Sequence, residues 1–390
     1  MKKNLLLAAL AVVTVLSSCK KSDDESAAVI PADPYSNNNT SYETAFKNSA
    51  GESTVDRKDG RLRLLMLKAL DSTAKLPNSS NTTVLSSTTL SNLYSNTGSP
   101  FGNPGLNTAT VSLKDATARS ASDPSAIRAH IESYFPIIAS ASATAADNYA
   151  NDAVNKDTAR VSVAGRLYSP GATSKYLVDA MGLEYAQVIS KSLIGSLQLD
   201  YICNVLLSDN SLTNADNVVL INNKYTALQH RWDEAYGFLT LKDRYAQDAT
   251  ETTNGGESFL GSYIWEYNKE AYPLIHVAFL KGRKAAVDND RAAAKEQAQF
   301  IRRELEKAIA KAALGYMGKY KSGTSNAQRA HAIGEGYGFI YSLRFCKYHG
   351  ADAAFSDAVL SNLINGNGFW SLSTSKVDVA SASISARFGL

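Results

Sequence analysis

The chain has 390 residues, of which 44% are hydrophobic, and it carries 40 lysines and arginines against 37 aspartates and glutamates. A nearly neutral chain without a basic tract is a poor candidate for binding nucleic acid, so we expect no nucleic-acid partner. The composition is that of an ordinary globular protein, and the length allows one large domain or two smaller ones.

The first residues, MKKNLLLAALAVVTVLSSC, predict a secretory signal. Lys2 and Lys3 form a basic segment, an apolar stretch follows, and small residues precede Cys19. The apolar stretch is too short to span a bilayer, which favours a cleaved signal over a transmembrane helix. The ending LSSC resembles the cleavage motif of bacterial lipoproteins. We therefore expect residues 1–18 to be a signal peptide and Cys19 to be the lipidated N-terminus.

The stretch after Cys19 indicates where the mature protein is held. KKSDDES places Asp23, Asp24 and Glu25 close behind the cysteine, which resembles the surface-export signal of Bacteroidetes-type lipoproteins. Residues 19–40 are polar and predict a flexible tether. We expect an outer-membrane lipoprotein that is exposed at the cell surface and attached to the membrane through its lipid.

Helical periodicity dominates the chain from residue 60 onward. Residues 60–76 have apolar residues at helical spacing. Another helix is expected to begin at Asp123 and Pro124, because aspartate suits an N-cap and proline suits the first turn. Further predicted helices cover residues 173–207, 215–241, 259–289, 291–320, 326–349, 351–365 and 373–387. Strand-like alternation is scarce, so we predict an all-α protein built from helical bundles.

Residues 77–122 interrupt this pattern. They are rich in serine, threonine, asparagine and glycine and carry little charge. A structureless segment of this length is unusual in a compact domain. It is therefore a lid, a wrapped segment or a disordered insertion, and its composition predicts weak packing.

Two cysteines besides Cys19 lie in apolar helical stretches, Cys203 and Cys346. A disulfide between them is possible in an oxidising compartment. Buried free thiols are favoured, because both sequence contexts are apolar and helical.

One polar-aromatic phrase occurs twice. Residues 230–238 read HRWDEAYGF and residues 331–339 read HAIGEGYGF, so both fit the template His-x-x-x-Glu-x-Tyr-Gly-Phe. Each predicted helix that carries the phrase follows another long apolar helix, which predicts a duplicated helical hairpin. Histidine and glutamate four residues apart share one stripe of a helix.

Three explanations of the repeated phrase remain open. In the first, the glycines let helices pack closely and each His–Glu pair satisfies itself in the core. In the second, two facing helices bind a divalent ion, for which iron, zinc and manganese are candidates, since histidine and carboxylate ligands suit these metals. The metal ligands would be His230, Asp233, Glu234, His331 and Glu335.

The third explanation is a small organic ligand in a cleft lined by Trp232, Tyr236 and Tyr337, with Trp265 as a further candidate. Catalysis finds little support. The sequence has no Gly-x-Ser-x-Gly elbow, no His-Glu-x-x-His helix and no phosphate loop. The other histidines stand alone in the sequence and are expected to be surface or core residues; they are His130, His276 and His349.

The stretch QHRWDEAYGF, in a lipoprotein of this length, resembles an uncharacterised family of Bacteroidetes envelope lipoproteins that is similar to the imelysin-like, iron-regulated helical proteins. The resemblance covers about residues 40–390. Imelysin-like proteins carry Gly-x-His-x-x-Glu in a cleft between two bundles. Here His230 and Asp233 fall at the histidine and glutamate positions, and Leu228 replaces the glycine. The resemblance thus implies that His230 and Asp233 are ligands. It does not imply peptidase activity for this chain.

The resemblance and the residues together predict an architecture and a function. We expect two helical bundles related by internal duplication, residues 41–215 and 216–390. A cleft between them would bind a ligand for envelope uptake, iron or an iron complex, in cooperation with an outer-membrane uptake partner. The alternative is a structural or protein-interaction lipoprotein whose repeated phrase only packs the helical core.

Overall fold

The computed structural model describes residues 33–151, 156–244 and 256–390. Across those ranges helices dominate, and the only sheet is a two-stranded antiparallel hairpin of β1 (Gly165–Tyr168) and β2 (Lys175–Val178). The predicted all-α class is confirmed. The predicted signal peptide, Cys19 and most of the predicted tether lie outside the described residues, so they stay predictions.

Sixteen α-helices lie within the described ranges and are numbered in chain order. They are α1 Tyr42–Ala45, α2 Lys58–Ala74, α3 Leu76–Ser79, α4 Ser87–Ser95, α5 Pro104–Asn107, α6 Leu113–Ala116, α7 Pro124–Asn151, α8 Tyr185–Leu193, α9 Asp209–Asn214, α10 Ala227–Leu239, α11 Leu260–Tyr267, α12 Ala271–Val287, α13 Arg291–Ser322, α14 Asn326–Ser342, α15 Ala353–Leu363 and α16 Thr374–Phe388. Helix α8 continues as a π-helical stretch, Ile194–Leu206. Short 3-10 helices occur at Pro34–Ser36, Pro170–Ala172, Leu343–Phe345 and Gly368–Ser371.

Several helices begin at capping residues that the sequence offers. The carboxylate of Asp123 accepts a hydrogen bond from the backbone N–H of Ala126 at 3.0 Å, so the predicted start of α7 is confirmed. Thr226 and Gln229 form a capping box at the start of α10, and the hydroxyl of Ser325 caps α14. Each cap satisfies backbone N–H groups that have no partner within the helix. These caps fix where the two helices that carry the repeated phrase begin.

Two predicted helices start later than expected. The prediction for residues 173–207 is wrong at its start, because β2 lies there and pairs with β1, so that the helix begins only with α8. The prediction for residues 215–241 is wrong up to Thr226, because the preceding residues form a loop that ends in an isolated antiparallel bridge between Ile221 and Tyr225. Apolar residues in both stretches suggested helices, although part of them lies in a strand or at the surface.

The polar segment 77–122 is wrapped onto the helical body. Its short helices α3–α6 bury Leu90, Tyr94 and Leu113 completely, each with 0% exposure. The hydroxyl of Ser112 caps α6, and Asp115, the third residue of that helix, completes the capping box. The expectation of weak packing is wrong here, because a few apolar side chains face inward while serine and asparagine groups satisfy the backbone.

Cys203 and Cys346 are buried free thiols, as predicted. Burial raises the pKa of each thiol well above its usual value. Both groups are therefore protonated at neutral pH, and buried thiols in apolar surroundings are unreactive.

Residues Pro34–Leu390 form one compact unit. Helix α13 packs against α11, α12, α14 and α16, while α2 packs against α10 and α8 packs against α14. Helix α2 belongs to the predicted N-terminal bundle and α10 to the predicted C-terminal one, so helices of both bundles are in direct contact. The division at residues 215 and 216 and the internal duplication stay predictions.

The chain enters this unit within the predicted tether. Pro34–Ser36 pack against α12, and Nε2 of His276 donates to the carbonyl of Thr40 at 2.8 Å. The described end of the tether is therefore docked on the body. In the ranges that the structure covers, no helix combines the length and apolar character that a membrane span needs.

Candidate functional site

Each copy of the repeated phrase meets a neighbouring helix at its glycine. In α10, a Cβ added to Gly237 would lie 2.6 Å from the carbonyl oxygen of Arg57, at the start of α2. In α14, a Cβ added to Gly338 would lie 2.5 Å from Cβ of Lys191 and 3.0 Å from the backbone nitrogen of Ser192, in α8. A side chain at either position would force the helices apart. The glycines are therefore placed for close helix packing.

In the first copy, Glu234 lies between an imidazole and a guanidinium. Nη1 of Arg63, from α2, lies 3.4 Å from Oε1 of Glu234, and Nε2 of His230 lies 4.0 Å from Oε2. The His230 ring stacks on Tyr225 with ring centres 4.9 Å apart. Burial raises the pKa of Glu234, and His230 and Arg63 oppose that shift. The carboxylate is thus engaged by its own helix and by α2.

The second copy repeats this arrangement with other partners. Nζ of Lys191, from α8, lies 3.9 Å from Oε2 of Glu335, and Nε2 of His331 lies 3.3 Å from Oε1. The His331 ring stacks on Tyr176 with ring centres 4.2 Å apart. Its Nδ1 lies 2.6 Å from Oε2 of Glu184, so that the imidazole bridges two carboxylates.

The charges of the second copy follow from this geometry. Burial alone would lower the pKa of His331, but Glu184 and Glu335 outweigh it and raise that pKa to about 9. Burial alone would raise the pKa of Glu335, but Lys191 and His331 outweigh it and lower that pKa to about 2. At neutral pH the site is therefore an imidazolium held between carboxylates.

Asp233 faces a different part of the core. Its Oδ1 lies 2.8 Å from Nε of Arg283, and both side chains have 0% exposure. The hydroxyl of Tyr42 donates to the same oxygen at 3.0 Å, and the backbone N–H of Asp56 donates to Oδ2 at 3.2 Å. Both carboxylate oxygens are thus occupied in a buried ion pair.

The five predicted metal ligands do not fit a metal centre. Across the described ranges, no three His, Cys, Asp or Glu side chains are arranged to hold a metal ion. The physical reason is the cations beside each carboxylate: Arg63, Arg283 and Lys191. Metal ligands must be deprotonated and able to turn their lone pairs to the ion, whereas the three carboxylates are paired with basic side chains and the pKa of His331 is raised to about 9.

The aromatic side chains of the phrase divide between core and surface. Trp232 and Tyr236 have 0% exposure, and Tyr236 stacks on Tyr42 with ring centres 4.2 Å apart. Trp265 is 9% exposed and packs within the core. Trp232 and Tyr236 therefore line no open cleft in this structure. Tyr337 differs, because it borders an open cleft.

That cleft has a volume of about 640 Å³ and lies between α7, α14, α15 and the turn before α8. Pockets of roughly 300–1,000 Å³ are typical of small-molecule sites. We call it the tyrosine cleft. The aromatic and charged side chains that line it are His130, Tyr185, Tyr337, Tyr341, Arg344 and Asp357. Aliphatic side chains line the space between them.

One wall of the tyrosine cleft carries the exposed imidazole of His130, which stacks on the buried ring of Tyr341. The rings of His130 and Tyr341 stack with centres 5.4 Å apart and planes 20° apart. Nε2 of His130 lies 2.8 Å from the hydroxyl of Tyr134. Burial and the nearby Arg344 lower the pKa of His130, so the imidazole is neutral at neutral pH. A neutral ring stack suits a flat organic ligand.

The cleft also offers polar groups. The guanidinium of Arg344 lies 3.7 Å from the ring centre of Tyr341 and pairs with Asp357, whose side chain is 62% exposed. The Tyr341 hydroxyl is buried and has no hydrogen-bond partner among the described residues. Burial raises the pKa of Tyr341 to about 12, so the hydroxyl keeps its proton and can donate. A buried hydroxyl left unpaired costs about 1–3 kcal/mol.

Sequence reasoning found Tyr337 and missed the rest of the cleft. The sequence predicts that His130 is an isolated surface or core residue, because its cleft neighbours Tyr337 and Tyr341 come from α14, far along the chain. One signal was available: Tyr337, Tyr341 and Arg344 recur at spacings of four and three, which places them on one face of a helix. That stripe continues beyond the second copy of the phrase into the 3-10 turn.

Comparison with known proteins identifies a family. The family described as Domain of unknown function (DUF4856) matches residues 41–390, and the chain belongs to it. Comparisons with curated proteins and with solved structures gave no match. The family description names no activity, so the geometry of the site has to carry the functional argument.

Proposed function

We propose that this DUF4856 protein is a lipid-anchored binding protein of the cell envelope whose ligand is a flat organic molecule held in the tyrosine cleft. The observation that carries the proposal is an open cleft of about 640 Å³ that combines three tyrosines, a neutral histidine and an arginine. Such a mixture of stacking surface and a few polar groups is typical of small-molecule sites.

The polar groups indicate what the ligand carries. The partner carboxylate of Arg344, from Asp357, is mostly exposed, and exposed ion pairs are weak because water screens them. An anionic group on a ligand can therefore compete for the guanidinium, which suits carboxylates. We infer an aromatic ligand with an acidic or other acceptor group.

An iron complex with an aromatic chelator belongs to this class of ligand. The cleft would take such a complex by stacking on the chelator and by charge, without coordinating the ion. This route is favoured over direct coordination, because the carboxylates of the repeated phrase are paired with basic side chains. Uptake of the complex, with hand-over to an outer-membrane partner, remains part of the proposal.

A distant relation to imelysin-like proteins is also proposed. The all-helical class and the family match over most of the chain are compatible with it. The sequence departs from their signature, since Leu228 and Asp233 stand at the glycine and glutamate positions. Asp233 is moreover paired with Arg283 in the core, so we propose no ligand role for it.

The repeated phrase is assigned to packing. Its glycines touch α2 and α8, and its glutamates pair with basic residues of the same two helices. The competing function, a structural lipoprotein, shares this role for the phrase. The two functions differ in whether the tyrosine cleft binds anything.

A thermal-melting screen separates them. The mature protein is melted with aromatic acids, namely benzoate, salicylate and 2,3-dihydroxybenzoate with and without iron(III), and with acetate and succinate as aliphatic controls. We expect at least one aromatic acid to raise the melting temperature, and Arg344→Gln to abolish that rise. Arg61→Gln, an exposed arginine outside the cleft, is the matched control. A rise that persists in Arg344→Gln, or no rise with any aromatic acid, contradicts the proposal.

A further inference from the structure

Four consecutive apolar side chains point into solvent in the loop before α10. Val218, Val219, Leu220 and Ile221 are 85%, 65%, 53% and 39% exposed. Single exposed apolar residues are common, but contiguous ones mark interaction sites. We call these four residues the apolar loop.

The backbone of the apolar loop is held in place. The carboxylate of Asp216 accepts hydrogen bonds from the N–H groups of Val218 at 2.9 Å and Val219 at 3.2 Å. The N–H of Ile221 donates to the carbonyl of Tyr225 at 2.7 Å, which closes a short hairpin. The fold therefore presents these side chains outward in a defined conformation, and the loop is not a coil that could bury them by folding back.

The apolar loop lies beside the C-terminal end of α12. Nδ2 of Asn217 donates to the carbonyl of Ala286 at 2.9 Å and to Oδ1 of Asn289 at 3.0 Å. Val287, in the last turn of α12, is 45% exposed and adds to the apolar surface.

The chain enters the folded unit close to the same end of α12. Nζ of Lys284 lies 5.8 Å from the ring centre of Tyr35, in the 3-10 turn that packs on α12. Lys284 and Val287 are three residues apart, which is about 4.5 Å along a helix. The point where the N-terminal segment joins the body and the apolar loop thus both lie near the C-terminal end of α12.

We propose that the apolar loop inserts into the lipid bilayer that holds the protein. The inference rests on the lipid anchor of the proposed function. Only the 14 residues 20–33 separate Cys19 from Pro34, a stretch that reaches at most about 50 Å when fully extended. The point where the chain enters the body therefore stays within about 50 Å of the lipid, and the apolar loop lies near the same end of α12 as that point.

The charges around the apolar loop are compatible with a lipid surface. Lys224, at the foot of the hairpin, is exposed. Two nearby acidic side chains have partners: Asp216 accepts hydrogen bonds from the loop backbone, and Asp288 pairs with Lys284. An apolar contact of the folded unit with the bilayer adds to the attachment that the lipid anchor provides. It would also fix the orientation of the folded unit on the membrane.

The test uses the full lipidated chain with Val219→Cys, labelled with an environment-sensitive fluorophore. Cys203 and Cys346 are buried, and Cys19 carries the lipid, so labelling is selective. Val379→Cys, at a 55% exposed position in α16, is the matched control. The protein is reconstituted into vesicles of phosphatidylethanolamine and phosphatidylglycerol, with and without brominated acyl chains. We expect brominated lipid to quench the label at position 219 at least twofold and to leave the label at position 379 unchanged.

Two outcomes would overturn the insertion: a label at position 219 that stays in water on a lipidated protein, or one that becomes shielded only after envelope proteins are added, which indicates a protein partner. Mass spectrometry of the N-terminal peptide reports lipidation separately. A chain without lipid contradicts both the anchor and the insertion. A lipidated chain with an unquenched loop contradicts the insertion alone, and the melting response to aromatic acids, measured on the same protein, tests the cleft independently.

Discussion

Nε2 of His331 lies 3.3 Å from Oε1 of Glu335, one helical turn further along α14. His230 and Glu234 form the corresponding pair in α10, at 4.0 Å. In both helices the glutamate also meets a basic residue of the neighbouring helix that the phrase glycine touches. The phrase therefore joins its helix to a neighbour twice in the same way, by a close glycine contact and by a shared carboxylate.

The pair in α14 predicts a pH-dependent stability. The pKa of His331 is raised to about 9 in the folded protein, against about 6.5 for an unfolded histidine. Because the folded pKa is higher, protonated His331 stabilises the fold fully below pH of about 6.5, and this contribution is lost as the pH rises through 9. His331→Gln should lower the free energy of unfolding by on the order of 2 kcal/mol at pH 6 and by much less near pH 10. Urea unfolding at both values measures the difference.

His130→Gln is the control for this titration. The pKa of His130 is lowered by burial and by Arg344, so its charge does not change between pH 7 and 10. The effect of His130→Gln should therefore be constant across that range. An effect of His331→Gln that is equally constant would contradict the charged pair.

Two glycines predict opposite effects of the same substitution. Gly338→Ala places a Cβ 2.5 Å from Lys191, and overpacking of this kind costs about 1–3 kcal/mol. That cost outweighs the gain in helix propensity of about 1 kcal/mol. Gly318→Ala, at an exposed position of α13 with nothing within 4 Å of the added Cβ, should instead stabilise by about 0.5–1 kcal/mol. A higher melting temperature for Gly338→Ala than for the unsubstituted protein would contradict the packing role of the repeated phrase.

The wrapped polar segment predicts a core contribution. Leu90 has 0% exposure, so Leu90→Ala should lower the free energy of unfolding by about 2–5 kcal/mol through lost burial and a cavity. Val84, in the same segment, is 55% exposed, and Val84→Ala should change stability by less than about 0.5 kcal/mol. Chemical unfolding measures both. If both substitutions lower the free energy of unfolding by equal, small amounts, the segment is a loosely packed insertion.

The lipoprotein prediction concerns Cys19. Cys19→Ser removes the thiol that would form the thioether bond to the lipid, so the chain should move from the detergent phase to the aqueous phase in cloud-point partition. Ser22→Ala, in the same polar stretch, should stay in the detergent phase. Retention of Cys19→Ser in the detergent phase would contradict the anchor.

The sequence predicts features that depend on neighbours along the chain. The cap at Asp123, the His–Glu pairs one turn apart and the buried context of Cys203 all follow from local patterns, and the structure contains each of them. Local patterns fail where the partner is distant. Lys175–Val178 forms a strand because β1 pairs with it, which no local apolar count detects.

The candidate site was predictable only in part for the same reason. Tyr337 belongs to the repeated phrase and was identified from sequence. Its cleft partners His130 and Asp357 come from α7 and α15, and nothing near them in sequence marks them. The predicted metal ligands do not form a site because Glu234 and Glu335 pair with basic residues instead. Those basic residues come from α2 and α8, which are distant in sequence from the repeated phrase.

The central claim, that the tyrosine cleft binds an aromatic ligand, is tested most directly by filling the cleft. Ala126 is exposed in the first turn of α7 and lines the cleft, whereas Ala382 is exposed in α16 and is not among the lining residues. Titration calorimetry with the aromatic acid that raises the melting temperature most would compare Ala126→Trp with Ala382→Trp. We predict that Ala126→Trp weakens binding at least tenfold and that Ala382→Trp leaves it unchanged. Equal affinity in the two variants would contradict the account.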